Sequence, residues 1–206
     1  MKRIRIKICG IKTLSVAEFC VDNGIDCLGF NFSPMSKRKI DLSDSIQIIN
    51  ELHKRYSKIQ TQFVALFFKT PQDEMTKIYK SGVFQTIQYL PLLEDLSFPD
   101  FSGEILPQIG VSAPISDNDL NRSDDWVILD SFHKEEGGGT GSTFPWKFVE
   151  SIKRNYFLAG GLNPENVKLA VDYLNPPGLD VASGVEETPG EKSIPLIQRF
   201  IKNARP

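Results

Sequence analysis

The sequence predicts an α/β protein, and within that class a single-domain (β/α)8 TIM barrel spanning residues 1–206. Three observations lead there. Strand-like and helix-like segments alternate from end to end, the pattern of parallel strands joined by helical crossovers. Eight strand ends can be marked, near Cys9, Phe32, Phe68, Leu90, Gly110, Asp130, Gly160 and Ser183. Seven intervals separate the first from the last at roughly 25 residues each, room for a strand, two short loops and a helix. Eight units suit closure at a length near the lower limit of about 200 residues for such barrels. Periodicity alone leaves an open doubly wound sheet as the competing architecture.

The elements follow in order. Ile4, Ile6 and Ile8 alternate with Arg5, Lys7 and Cys9, a period-2 strand with two different faces. Thr13 opens a helix carrying Val16, Ala17, Cys20 and Val21, stopped by Asn23-Gly24. Cys27–Phe32 is the second strand, and Leu42–Tyr56 sets Ile46, Ile49 and Leu52 at helical spacing. Phe63–Phe68 is the third, with Pro71 opening the next helix. Thr86–Leu90 is a short fourth and Glu104–Val111 a fifth. Pro107 lies inside the fifth and lacks a ladder donor, so a bulge or shifted boundary is expected there. Trp126–Asp130, Tyr156–Ala159 and Leu179–Ser183 complete the set. After the seventh, Asn163 reads as an N-cap and Pro164 as the first helical residue, ahead of the stripe Val167, Ala170, Val171 and Leu174. The last helix carries Ile194, Ile197, Phe200 and Ile201, with Ser193 and Pro195 in its first turn.

Composition narrows the function classes. There are 24 basic and 26 acidic side chains, a net charge of −2, which offers nothing to a nucleic acid or other polyanion. Scaling for this size buries roughly 70% of the extended-chain surface, enough for one core. The longest apolar run, Phe63–Phe68, is far short of a membrane span. Met1-Lys2-Arg3 resembles a signal-peptide start, but Arg5 and Lys7 interrupt any apolar region after it. Cys9, Cys20 and Cys27 are odd in number and lack Cys-x-x-Cys spacing. With His53 and His133 the only histidines, a His/Cys metal cage is not expected. The expectation is a cytoplasmic, metal-free protein.

In a barrel the active site gathers at the C-terminal strand ends. Residues two apart on a strand share a face, so Lys7 and Cys9 should both point inward. A nearby ammonium favours a thiolate, which makes Cys9 a candidate base or nucleophile beside the plainer reading of a buried structural cysteine. Asp130 closes an apolar strand, where desolvation would raise its pKa and suit it to general-acid work; a cap or turn role is the alternative. Asp180 is a second carboxylate able to point inward and compete for that role. Glycine-rich turns follow strands six, seven and eight: Gly137–Gly141, Gly160-Gly161 and Ser183-Gly184. Such turns after strands seven and eight match the usual barrel phosphate site, though any one alone is more often a plain turn. Arg38, in a loop over the mouth, suits a bidentate carboxylate contact or a solvated surface charge.

At these residues the chain resembles the phosphoribosylanthranilate isomerase family over essentially its whole length. The matches are Lys7-Ile-Cys-Gly-Ile11, Gly29-Phe-Asn-Phe32 with Ser36-Lys-Arg-Lys-Ile40, Leu129-Asp130, and Gly138-Gly-Thr-Gly141 with Phe144 and Trp146. They continue with Leu158-Ala-Gly-Gly-Leu-Asn-Pro-Glu-Asn-Val167, and Asp180-Val-Ala-Ser-Gly-Val-Glu186 with Pro189-Gly190 and Lys192. The resemblance implies a (β/α)8 barrel without cofactor or metal, acting on a small-molecule phosphoribosyl substrate as a monomer or homodimer. It implies an Amadori rearrangement of N-(5-phosphoribosyl)anthranilate to the 1-deoxyribulose 5-phosphate product, in tryptophan biosynthesis. By motif, Asp130 is the general acid, Cys9 the general base, and Arg38 the holder of the anthranilate carboxylate. Gly160, Gly161, Ser183 and Gly184 hold the phosphate, with Gly139 and Gly141 nearby and Lys7 and Asp180 among the substrate contacts.

The chain also departs from the family pattern. Gln88-Tyr89-Leu90-Pro91 stands where the family has Gln-Leu-His-Gly, Pro145 replaces the Asp of Phe-Asp-Trp, Ala182 replaces a serine, and Ser193 an acid. None removes the acid, the base or the phosphate turns, and Leu90 is expected to lower efficiency without abolishing it. The nearest enzymatic rival, a histidine-pathway isomerase, resembles a different pattern with aspartate closing strand one; Cys9 argues against it. A non-catalytic or substrate-drifted phosphosugar-binding barrel is the alternative from another class.

Overall fold

The computed structural model describes residues 3–90, 98–120, 125–131 and 143–205. Eight parallel strands close into a barrel in sequence order: β1 (Arg5–Cys9), β2 (Cys27–Asn31), β3 (Gln62–Phe67), β4 (Thr86–Tyr89), β5 (Glu104–Val111), β6 (Val127–Ser131), β7 (Tyr156–Leu158) and β8 (Gly178–Val181). Pairing of β8 with β1 completes the ring and sets Lys7 opposite Asp180. The helices are α1 (Leu14–Asp22), α2 (Leu42–Arg55), α3 (Gln72–Tyr79), α4 (Val167–Leu174) and α5 (Ile194–Ala204). A hairpin of β9 (Glu186–Thr188) and β10 (Glu191–Lys192) lies between β8 and α5.

Strand alternation builds two cores. Outward residues such as Ile6, Ile8, Leu28, Phe30, Ala65, Leu129 and Leu179 pack under the helices. There α2 contributes Ile48, Ile49 and Leu52, and places His53, Lys54 and Arg55 in its last turn, where positive charge suits the helix dipole. Inward residues begin with an apolar plug of Cys27, Val64, Leu106, Ile128 and Phe157. Two residues further along the same strands the inward positions become Gln108 on β5 and Asp130 on β6, so the barrel interior turns polar toward its C-terminal end.

Several local expectations need correction. Pro107 makes no bulge: β5 is in register with β4 over Glu104–Pro107 and with β6 from Gln108 onward. The proline therefore falls at the changeover between two staggered ladders. The eighth strand ends at Val181, and Ser183 sits in a 3₁₀ turn over Ser183–Val185. Helix α4 starts at Val167 rather than Pro164, because Asn163 Oδ1 accepts the N–H groups of Glu165 and Asn166 and holds residues 164–166 as a turn. Among the described residues, units five and six carry short 3₁₀ helices, Asp117–Asp119 and Trp146–Val149, in place of full α-helices.

Candidate active site

The C-terminal strand ends surround a cavity of about 620 Å³, a volume suited to a small molecule. Cys9, Asp130, Asp180, Gln88 and Gln108 form its floor, while Arg38, Ser183 and Glu186 belong to its wall. The strand register explains the central contact. Lys7 is fully buried, and its Nζ donates to Asp180 Oδ1 at 2.9 Å across the β1–β8 seam. Burial pulls the Lys7 ammonium down, but Asp180 and Cys9 outweigh it, so the lysine stays charged. Asp180 therefore serves as the carboxylate partner of a buried cation, held across the seam by the Lys7 ammonium.

Cys9 lies beside this pair. Burial pushes its thiol above the ordinary value, Lys7 pulls it back, Asp180 adds to the rise, and Lys192 opposes it. The pull of Lys7 toward the thiolate is partly answered by Asp180, and desolvation outweighs it. Asp130 behaves as its apolar strand implied. Burial and the Asp180 charge raise it to about 7, against hydrogen bonds from Ser131 and the attraction of Lys7. Ser131 N–H donates to Oδ1 at 2.7 Å, and Gln108 Nε2 donates to Oδ2 at 2.7 Å.

Arg38 reaches the wall of the cavity with one edge already engaged. Its Nε and Nη2 donate to the two oxygens of Glu186 at 2.7 and 2.8 Å. Glu186 also receives Lys192 Nζ at 2.6 Å and the Gly190 N–H at 3.2 Å. Lys192 further donates to the Ala182 carbonyl at 2.9 Å. Two cations against one carboxylate leave this cluster positive, beside a cavity floor that holds two acids.

The turns after β7 and β8 pack together. Gly160 has φ of +82°, and a Cβ there would lie 2.8 Å from Ser131 N and 3.0 Å from Asp130 Oδ1. A Cβ on Gly184 would lie 1.9 Å from the Leu162 carbonyl oxygen, so only glycine lets these turns meet. Ser183 lines the cavity, while Gly160 backs Asp130 from behind.

Residues 6–203 match the family described as N-(5'phosphoribosyl)anthranilate (PRA) isomerase. The chain belongs to the phosphoribosylanthranilate isomerase family. It is 39% identical over 209 residues to N-(5'-phosphoribosyl)anthranilate isomerase of Leptospira borgpetersenii serovar Hardjo-bovis (strain JB197), covering 99% of this chain and 96% of that one. The crystal structure of the Thermotoga maritima phosphoribosyl anthranilate isomerase superposes with a TM-score of 0.77 at 31% identity, over 98% of each chain. A second solved phosphoribosyl anthranilate isomerase, in complex with reduced 1-(o-carboxyphenylamino)-1-deoxyribulose 5-phosphate, gives 0.74 at 29% identity, again over 98% of each chain. Membership makes this chain an isomerase of tryptophan biosynthesis on a TIM barrel.

Against the phosphoribosylanthranilate isomerase pattern, Lys7, Cys9, Arg38, Asp130, Asp180 and Ser183 are brought to one end of the barrel, with Gly160, Gly161 and Gly184 in the adjoining turns. Gly139 and Gly141 lie outside the described residues, as does Pro91. Leu90, at the position of the family histidine, is not among the cavity-lining residues. Sequence reasoning assigned no role to Gln88, Gln108, Glu186 or Lys192. The two glutamines carried a usable signal, since each stands at an inward strand position two residues before a marked strand end. The pairing of Arg38 with Glu186 carried none.

Proposed function

We propose that Asp130 and Cys9 divide the proton transfers of the isomerisation. The pairing of a carboxyl held near neutral with a cysteine on the floor of the same cavity carries this reading. Neutral Asp130 gives its proton to the ribose ring oxygen as the C1–O bond breaks, and the nitrogen lone pair forms the Schiff base. Cys9 thiolate removes the C2 proton; that electron pair forms C1=C2 and neutralises the iminium, giving the enolamine. Loss of the enol proton and protonation at C1 give the ketone. One group cannot start turnover both protonated and deprotonated, so two groups with separated pKa values are expected. Turnover of freshly made phosphoribosylanthranilate, followed by loss of its fluorescence in Asp130 and Cys9 variants, tests the assignment.

In the same reading the turns around Gly160, Gly161, Ser183 and Gly184 anchor the phosphate through backbone N–H groups. Inorganic phosphate is then a competitive inhibitor of the wild type. Gly184→Ala forces the two turns apart, and is expected to lower Tm and to raise the phosphate inhibition constant at least tenfold. Unchanged inhibition in the folded variant would remove the anchor.

Arg38 holds the anthranilate carboxylate with the Nη1/Nη2 edge that Glu186 does not grip. Arg38→Met keeps the stem and loses the fork, a contact worth roughly 1.5–3 kcal/mol. KM should rise roughly 10- to 100-fold with a smaller change in kcat if ground and transition states are held alike. An unchanged KM would reduce Arg38 to a structural partner of Glu186.

All of these side chains come from one chain, so a single copy carries the site whether the protein works as a monomer or a homodimer; the Thermotoga maritima relative is described as dimeric. We place the enzyme in the cytoplasm, where a phosphorylated biosynthetic intermediate is retained. No helix of the described residues is long and apolar enough to cross a membrane.

A further inference from the structure

The cavity floor contains an acceptor that no described residue answers. Gln88, on β4, is 1% exposed and lines the cavity, yet its Oε1 has no hydrogen-bond partner among the described residues. Among the described residues, the other such atoms, on Tyr79, Thr86 and Trp146, belong to residues that do not line it. Gln88 is also the outer end of a chain. Its Nε2 donates to Gln108 Oε1 at 2.8 Å, and Gln108 Nε2 donates to Asp130 Oδ2 at 2.7 Å.

The polarity of this chain is set at its carboxyl end. Gln108 must turn its amino group to Asp130, so its carbonyl faces Gln88. Gln88 must then turn its own amino group to Gln108, and its carbonyl is left over. A buried amide carbonyl without a partner is costly, and one that borders a binding cavity is answered when a donor arrives with the ligand.

We propose that Gln88 is a substrate-contact residue whose carbonyl accepts a hydrogen bond from a hydroxyl of the bound sugar, and that Gln108 is a positioning residue carrying that contact to Asp130. The proposal rests on the assignment of Asp130 as the acid. A donor on Gln88 Oε1 polarises the amide and strengthens its own N–H donation, and the same follows at Gln108. The effect ends on the carboxylate that appears when Asp130 releases its proton, so the sugar helps draw out the proton it receives. The charged groups that face Asp130 are Asp180 from β8 and Lys7 from β1, with Ser131 as the adjacent donor; the amide chain is the contribution of β4 and β5.

Two variants test this. Gln88→Met keeps the length and neither donates nor accepts. Gln88→Glu keeps the shape, but as a carboxylate it draws the Gln108 amino group away from Asp130. The readouts are the dissociation constants of the reduced product and of inorganic phosphate, the pH profile of kcat, and Tm. For Gln88→Met, affinity for the reduced product should fall roughly 2- to 13-fold, one hydrogen bond's worth, while phosphate binding is unchanged. The limb of the profile near pH 7 should move upward, because Gln108, no longer polarised by Gln88, donates more weakly to the carboxylate. Gln88→Glu should move the limb further and lower kcat more. If Gln88→Met does not fold, Gln88→Glu decides on the same readouts. Wild-type affinity for the reduced product together with an unmoved limb overturns the proposal. Asp130→Asn, measured alongside, separates the two claims: lost turnover there with silent Gln88 variants removes only the glutamine chain. Near-wild-type turnover there removes the acid assignment itself.

Discussion

Asp130→Asn is expected to lower kcat by roughly 10²- to 10⁴-fold, the usual range for a proton-transfer group, while the affinity for the reduced product changes only a few-fold. Asparagine keeps the shape of the side chain but has no proton to deliver to the ring oxygen. The effect should fall on kcat and kcat/KM together, because the missing interaction belongs to the transition state. Ring opening precedes every later step, so a slow first step cannot be rescued downstream. Turnover near the wild-type rate would pass the acid role to Asp180, against the geometry in which Asp180 is committed to the Lys7 ammonium at 2.9 Å.

Cys9→Ser should cost a similar factor for the opposite reason. A hydroxyl fits the same space but is hardly ionised near pH 7, so the base that removes the C2 proton is gone. The wild type itself pays a toll here. With Asp130 raised to about 7 and the Cys9 thiol raised above its ordinary value, the productive pair of neutral acid and thiolate is the less populated of the two singly deprotonated forms. The required thiolate is therefore a minority species, and Lys7 and Lys192 are the groups that keep it from being rarer. Near-wild-type turnover by Cys9→Ser would put the base elsewhere in the cavity.

Much of this site was legible because a strand converts sequence spacing into direction. Lys7 and Cys9 are two apart, so one predicts the other's side of the barrel; Asp130 follows Val127, Ile128 and Leu129, so its desolvation was implicit. What escaped depends on contacts between remote segments. The Arg38–Glu186 pair joins residues 148 positions apart, and nothing local to either residue announces it. Asp180 was visible as an inward carboxylate, but its partner follows only from closing β8 onto β1, which fixes Lys7 against it. The balance at Cys9 has the same origin: the sequence displayed a lysine beside Cys9 without showing that Asp180 answers its charge. Pro107 misled because a ladder was imagined on both sides at once, whereas the stagger of the barrel changes partners at that residue.

The division of labour between Asp130 and Cys9 is tested most directly by the pH dependence of kcat/KM in the two single variants beside the wild type. The wild type should be bell-shaped, rising near pH 7 and falling above the ordinary thiol range, with both limbs belonging to the coupled pair. Cys9→Ser retains only the acid, so its residual activity should be greatest at low pH and decline as pH rises through about 7. Asp130→Asn retains only the base, so its residual activity should climb with pH as the Cys9 thiol ionises. Opposite slopes in the two variants are the result this account predicts; slopes of the same sign, or a bell surviving in either variant, would contradict it.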